Sequence, residues 1–175
     1  MVDSPRFDGA RILQPGFPGD TGSADPAVAR ALADHRGAGA GAETFALAVR
    51  ALAGSRLLVP VVAVLGEVEV DERGLAHDKS SDMAAVLLTG ADGRVALLAF
   101  TSTDALTAWD PAARPVPVAA EVAALSAVQE GADALVVDVA GPATFVLEGQ
   151  DLEAFGAGWE LARVGDRYGW LRPEE

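Results

Sequence analysis

The sequence predicts a single α+β or α/β domain, a mixed β-sheet of about five strands flanked by helices on both faces. Three observations carry this. The runs LLVPVVAVL (57–65), RVALLAF (94–100) and ALVVDVA (from Ala134) are apolar on both sides, as strands are when helices cover both faces of their sheet. Between such runs lie stretches of helical period bounded by caps and glycines. A chain of 175 residues suffices for one core that buries about 70% of the unfolded surface and is short for two.

Residues 1–24, rich in Gly, Pro and Asp, have no periodicity and read as a loose arm or a strap over the domain. Asp25-Pro26 supplies an N-cap and a first-turn proline for a helix to about His35, with Val28 and Leu32 on one face. GAGAGA (37–42) breaks it, and a second helix over 43–53 aligns Phe45, Val49 and Leu52. LLVPVVAVL is a buried strand in which Pro60 argues for an edge or a bulge. MAAVLLT (83–89) and RVALLAF form a hairpin about GADG. A short helix over 103–109 is capped by Ser102 or Thr103 and stopped by Asp110-Pro111. Val116–Val118 suggests a short strand, and a helix over 119–130 carries Val122, Leu125 and Val128 or Gln129 on its inner stripe. ALVVDVA and ATFVL (143–147) are strands, 150–156 is a helix, and the tail alternates like a hairpin about Gly165-Asp166. The domain proper is therefore 25–158, with 159–175 as an extension packed on it. Phe45, Phe100, Trp109, Phe145 and Phe155 fall at core positions.

A net charge of −13 repels polyanions at long range, which argues against nucleic acid and suits a basic partner. With twelve Arg to one Lys, surface arginine says little. The absence of cysteine removes disulfides and thiolate chemistry and fits a reducing compartment. No apolar run approaches a membrane span, and MVDSPRFDGA lacks the pattern of a secretion signal, so the expected location is the cytoplasm.

Four strings, LLVPVVAV, KSSDMAAVLLTGADGR, AFTSTDALTAWDPAARPVPV and EGADALVVDVAGP, occur in this order between Leu57 and about Phe155. They resemble the N-terminal domain of the SseB family in its actinobacterial form, bacterial proteins named for an enhanced-serine-sensitivity phenotype. The resemblance implies a serine-related metabolic link through that name alone, and no catalytic residue, cofactor or substrate.

Motifs add little. Gly37, Gly39, Gly41 and Ala42 match a dinucleotide fingerprint formally, but a helix precedes them where a strand is needed, so they read as a linker. His35 and His77 alone cannot build a multi-histidine zinc site, and no metal or cofactor is expected. The acidic connection with Glu67, Glu69, Asp71, Glu72, Asp78 and Asp82 lacks EF-hand spacing and reads as a solvated loop.

The segment HDKSSD (77–82) comes nearest to a site. If GADG is a four-residue turn, Thr89 pairs with Arg94, Met83 with Phe100, and Ser81 with Ser102. Lys79, Ser80, Ser81, Ser102 and Thr103 would then meet at a helix start, a combination suited to a small anion. The competing reading is a cap beside an exposed loop. Trp159 and Trp170 either cover the domain edge or form an apolar patch for a partner.

The leading expectation is a non-enzymatic binding or regulatory module for a protein partner or a small anionic metabolite. Two alternatives stand: an enzyme using His77, Lys79, Ser80 and Ser81 near Ser102, and a homo-oligomeric scaffold subunit that shields Trp159 and Trp170.

Overall fold

The computed structural model describes residues 16–64 and 82–173. Helix α1 (Pro26–His35) starts where the Asp25 carboxylate accepts the Ala27 N–H and Pro26 occupies a position that needs no amide. A 3₁₀ turn at Gly37–Gly39 leads to α2 (Ala42–Leu52), so the glycine-rich run joins two helices. The strands β1 (Arg56–Val64), β2 (Asp82–Ala85), β3 (Leu87–Thr89) and β4 (Val95–Ala99) follow. Next come α3 (Thr103–Trp109), β5 (Arg114–Ala119), α4 (Ala120–Gln129), β6 (Ala134–Val137) and β7 (Phe145–Glu148). The described chain ends with α5 (Gly149–Gly156), β8 (Glu160–Val164) and β9 (Arg167–Leu171).

The fold is α+β. Its mixed sheet has four strands, ordered β3-β4-β6-β7, rather than five, because β1 belongs to a separate antiparallel sheet ordered β2-β1-β5. Leu58 and Phe100 join the two sheets by exchanging a pair of backbone hydrogen bonds, each 2.8 Å. Strands β4 and β6 are parallel neighbours. The terminal hairpin β8–β9 turns between Val164 and Arg167, where its alternation places the turn.

Pro60 lies in the central strand of its sheet, contrary to the edge or bulge expected for it. The carbonyls of Leu58 and Pro60 both point away from β5, accepting from Phe100 and Val86, so the missing amide of Pro60 faces the place where β2 has ended. Pro60 stands opposite Pro115 in a pair that exchanges no hydrogen bond. Pro115 and Pro117 then direct their missing donors to the open edge of β5, the side of a sheet where proline costs least.

Strand alternation divides the core in two. Leu97, Ala99, Leu135 and Val137 face the larger cluster, which also contains residues of α1, α2, α4 and α5. Leu98, Phe100 and the partly buried Val136 face the smaller one, built with Ala105 and Leu106 of α3 and edged by Trp109. Helices therefore cover both faces.

Helix α4 inverts its expected orientation. Ala120, Ala123, Ala124 and Ala127 are buried, whereas Val122 is 50% and Leu125 41% exposed. The cause is α5: a Cβ built on Gly156 would lie 2.8 Å from the Leu125 nitrogen and 3.1 Å from the Ala124 carbonyl carbon. At that separation only small side chains fit between the helices, and the larger apolar stripe turns outward. Gly156→Ala should therefore destabilise the protein by about 1–3 kcal/mol through overpacking, opposite in sign to the gain of about 1 kcal/mol that alanine normally brings to a helix. Urea unfolding measures the difference, and Leu125→Ala should change stability by less than about 0.5 kcal/mol.

Candidate functional site

The hairpin register differs from the expected one. Gly90 donates to the Arg94 carbonyl at 2.8 Å and Asp92 Oδ1 accepts the Arg94 N–H at 3.1 Å. Arg94 thus closes the turn, and Thr89 pairs with Val95. At Val86 the chain leaves β4: Val86 donates to Pro60 and accepts from Leu98, and β2 then pairs with β1. Met83 lies opposite Ala63 and not Phe100. Asp82 lies opposite Val64, six residues along β1 from Leu58, the partner of Phe100, a distance of about 20 Å at the usual strand rise. The register that would set Met83 against Phe100 is therefore absent among the described residues. His77, Lys79, Ser80 and Ser81 lie outside the described residues.

Of the rest of that expected set, Ser102 borders a cleft whose lining does not include Thr103. Ser102 Oγ accepts the Ala105 N–H at 3.1 Å and caps α3. The Thr103 N–H is taken by the Gly22 carbonyl at 2.8 Å, so one amide of the helix start is already partnered. Gly22, at φ +76°, passes so close that a Cβ would sit 2.3 Å from Thr103 Oγ1. Arg56 anchors the same strap, donating to the Asp20 carboxylate at 2.9 Å, the Ser23 carbonyl at 2.8 Å and the Thr101 carbonyl at 2.8 Å.

Thr101 and Asp138 follow the carboxyl ends of the parallel strands β4 and β6 and form the floor of this cleft of about 560 Å³. Its walls come from α1 on one face of the sheet (Ala29, Leu32, Ala33), α3 on the other (Asp104, Ala105, Ala108) and the 140–143 loop. Ser102 and Arg36 also line it. A crevice outside parallel strand ends, between helices of opposite faces, is where α/β sheets characteristically bind ligands.

Asp138 is 5% exposed and the only residue other than glycine with positive φ (54°) among the described residues. Its Oδ1 accepts the Thr101 N–H at 2.8 Å and its Oδ2 the Thr101 hydroxyl at 2.6 Å. Its carbonyl accepts from Gly141 at 2.9 Å and from Thr144 Oγ1 at 3.1 Å. Burial holds the carboxyl above its ordinary pKa, against the two Thr101 hydrogen bonds, which favour the charged form. Asp138 belongs to no recognisable motif, and the one signal of it in the sequence is a lone carboxylate inside the apolar run ALVVDVA.

Trp159 and Trp170 line one wall of a second cleft, of about 730 Å³, together with His35, Phe45, Asp151 and Tyr168. Leu161 of the hairpin is buried in the larger core, which holds the extension on the domain. No group of three or more His, Asp or Glu among the described residues could hold a metal ion, and no described helix is long and apolar enough to cross a membrane.

Thr101→Val should cost about 1–3 kcal/mol, because one oxygen of a buried carboxylate loses its donor. Since the folded pKa of Asp138 is raised, its protonation favours the folded state at pH values below the unfolded pKa, and this contribution is lost as pH rises through the folded pKa. The stability of wild type relative to Asp138→Asn should accordingly fall over that interval, as measured by urea unfolding across pH; a rise would contradict the assignment.

The family model described as SseB protein N-terminal domain matches residues 28–154, from α1 into α5. Comparison with the curated proteins and with the solved structures returned no match. The match covers the mixed sheet, both helical faces and every floor residue of the first cleft, and the chain belongs to the SseB family.

Proposed function

We propose that this chain is a cytoplasmic, non-enzymatic binding module that holds a small anionic ligand in the cleft outside β4 and β6. The observation that carries the reading is the placement of Arg36 and Ser102 among the alanines that wall the cleft above the Thr101–Asp138 floor, where Arg36 also offsets the one wall carboxylate, Asp104. Arg36 stands at the end of α1 and spends one nitrogen on the Pro142 carbonyl. Its guanidinium has five donors, so others remain for a carboxylate or phosphate. Ser102 accepts from Ala105 and keeps its own O–H to donate.

The surrounding alanines favour a ligand with a short apolar body and a single charged head. A net charge of −13 disfavours polyanions, so the charge has to be met locally, at Arg36. Both oxygens of the buried carboxylate are committed to Thr101, which favours holding a ligand over transforming one.

The test is a thermal-shift screen with inorganic phosphate, phosphosugars, serine and small carboxylic acids on wild type, Arg36→Ala, Ser102→Ala and Lys79→Ala. A compound at one hundred times its Kd should stabilise the wild type by about 2.7 kcal/mol. That shift should vanish in Arg36→Ala and weaken in Ser102→Ala. Equal shifts in wild type and Arg36→Ala, or a loss confined to Lys79→Ala, would overturn the placement of the site.

A further inference from the structure

The second cleft differs chemically from the first and stands apart from the proposal above. Gly158, at φ +73°, turns the chain out of α5, and the Trp159 N–H then donates to the Ala154 carbonyl at 3.0 Å. Trp170 stands opposite Leu161 in the terminal hairpin, and its Nε1 donates to Asp151 Oδ1 at 2.7 Å. That bond fixes the ring of one strand against a carboxylate of a helix. The two tryptophans, Tyr168 and Phe45 all remain partly exposed where they border the cleft.

Two observations indicate what such a cleft would receive. The Arg172 guanidinium already lies over the Trp159 ring, 5.0 Å from its centroid, so the ring is placed to stack a cation. Asp151 puts a negative charge in the same wall, in a chain of net charge −13. Aromatic faces beside a carboxylate attract a cation and repel an anion. Arginine suits them better than lysine, because its planar, weakly hydrated group stacks on a ring while also donating to a carboxylate.

We infer that the cleft walled by Trp159, Trp170 and Asp151 receives an arginine side chain from a partner polypeptide. The ring–cation contact supplies shape selection, and the acidic surface steers a basic segment towards the cleft.

The experiment is a titration of the ¹⁵N-labelled full chain with an acetylated, amidated Arg-Gly-Arg peptide, following the three indole N–H resonances. A Glu-Gly-Glu peptide of the same form is the control. Trp159 and Trp170 should shift saturably while Trp109, packed on Phe100 in the smaller core, stays in place. The Kd should rise at least about tenfold in Trp159→Leu and in Asp151→Asn. The asparagine oxygen can still accept from Trp170, so that variant removes the charge while the fold is kept. Three results would overturn the inference: no indole shift, equal shifts with both peptides, or arginine-dependent shifts whose Kd is the same in both variants as in wild type.

Discussion

The carboxylate of Asp138 holds the place where the two parallel strands end. Beyond Ala99 and Val137 the β4–β6 ladder stops, and the chain departs towards α3 on one face and the 139–144 loop at the other strand. The Thr101 amide would have no partner there without Asp138, whose two oxygens take both that amide and the hydroxyl beside it. Burying the charge is unfavourable, and the two hydrogen bonds offset part of that cost. The left-handed backbone at Asp138 turns the loop sharply, so that Gly141 passes where a Cβ would lie 2.8 Å from the Asp138 Cβ. Residue 141 is therefore held to glycine, and the floor of the first cleft is tied together by hydrogen bonds within the chain itself.

Around this point the two faces of the sheet are built differently. The smaller face uses bulky groups: Phe100, Leu98, Leu106 and the tilted Trp109 ring, whose centroid lies 5.5 Å from that of Phe100. The larger face uses alanine at every buried position of α4, which α5 approaches closely, and mostly leucine, valine and phenylalanine elsewhere. Close helix approach gains dispersion contacts from backbone and small side chains, and that gain replaces the area a larger residue would bury. Alanines of α1 and α3 likewise leave the walls of the first cleft largely apolar between its few polar groups.

The sequence revealed much of this and missed its most consequential parts for definite reasons. The boundaries of α3, the Asp25-Pro26 start of α1 and the turn of the terminal hairpin were legible because caps, prolines and two-residue turns act locally. The orientation of α4 was not, because Val122-Leu125-Val128 and Ala120-Ala123-Ala127 are both valid stripes and the choice rests on Gly156 in another helix. The strand register was one residue off because the Asp92 side chain extends the turn to Arg94. The Thr101–Asp138 contact was invisible because it joins residues brought side by side only by a parallel crossover. Of the expected anion set, Ser102 lies on the cleft, and its companion there is Arg36 at the end of α1, which no local motif marks as a ligand group.

One short segment belongs to both sheets. Residues 82–85 pair with β1, residues 87–89 with β4, and Val86 between them is hydrogen-bonded to each side. Neither sheet can detach its strand without straining the backbone that the other holds, and the Leu58–Phe100 bridge closes the same circuit a second time. The two sheets are thereby expected to unfold together, with partial opening first in elements outside the circuit, such as the terminal hairpin. The hairpin is not isolated from the first cleft, however: His35 at the end of α1 borders the second cleft and the adjoining Arg36 borders the first, so a displacement of that one helix end would reach both.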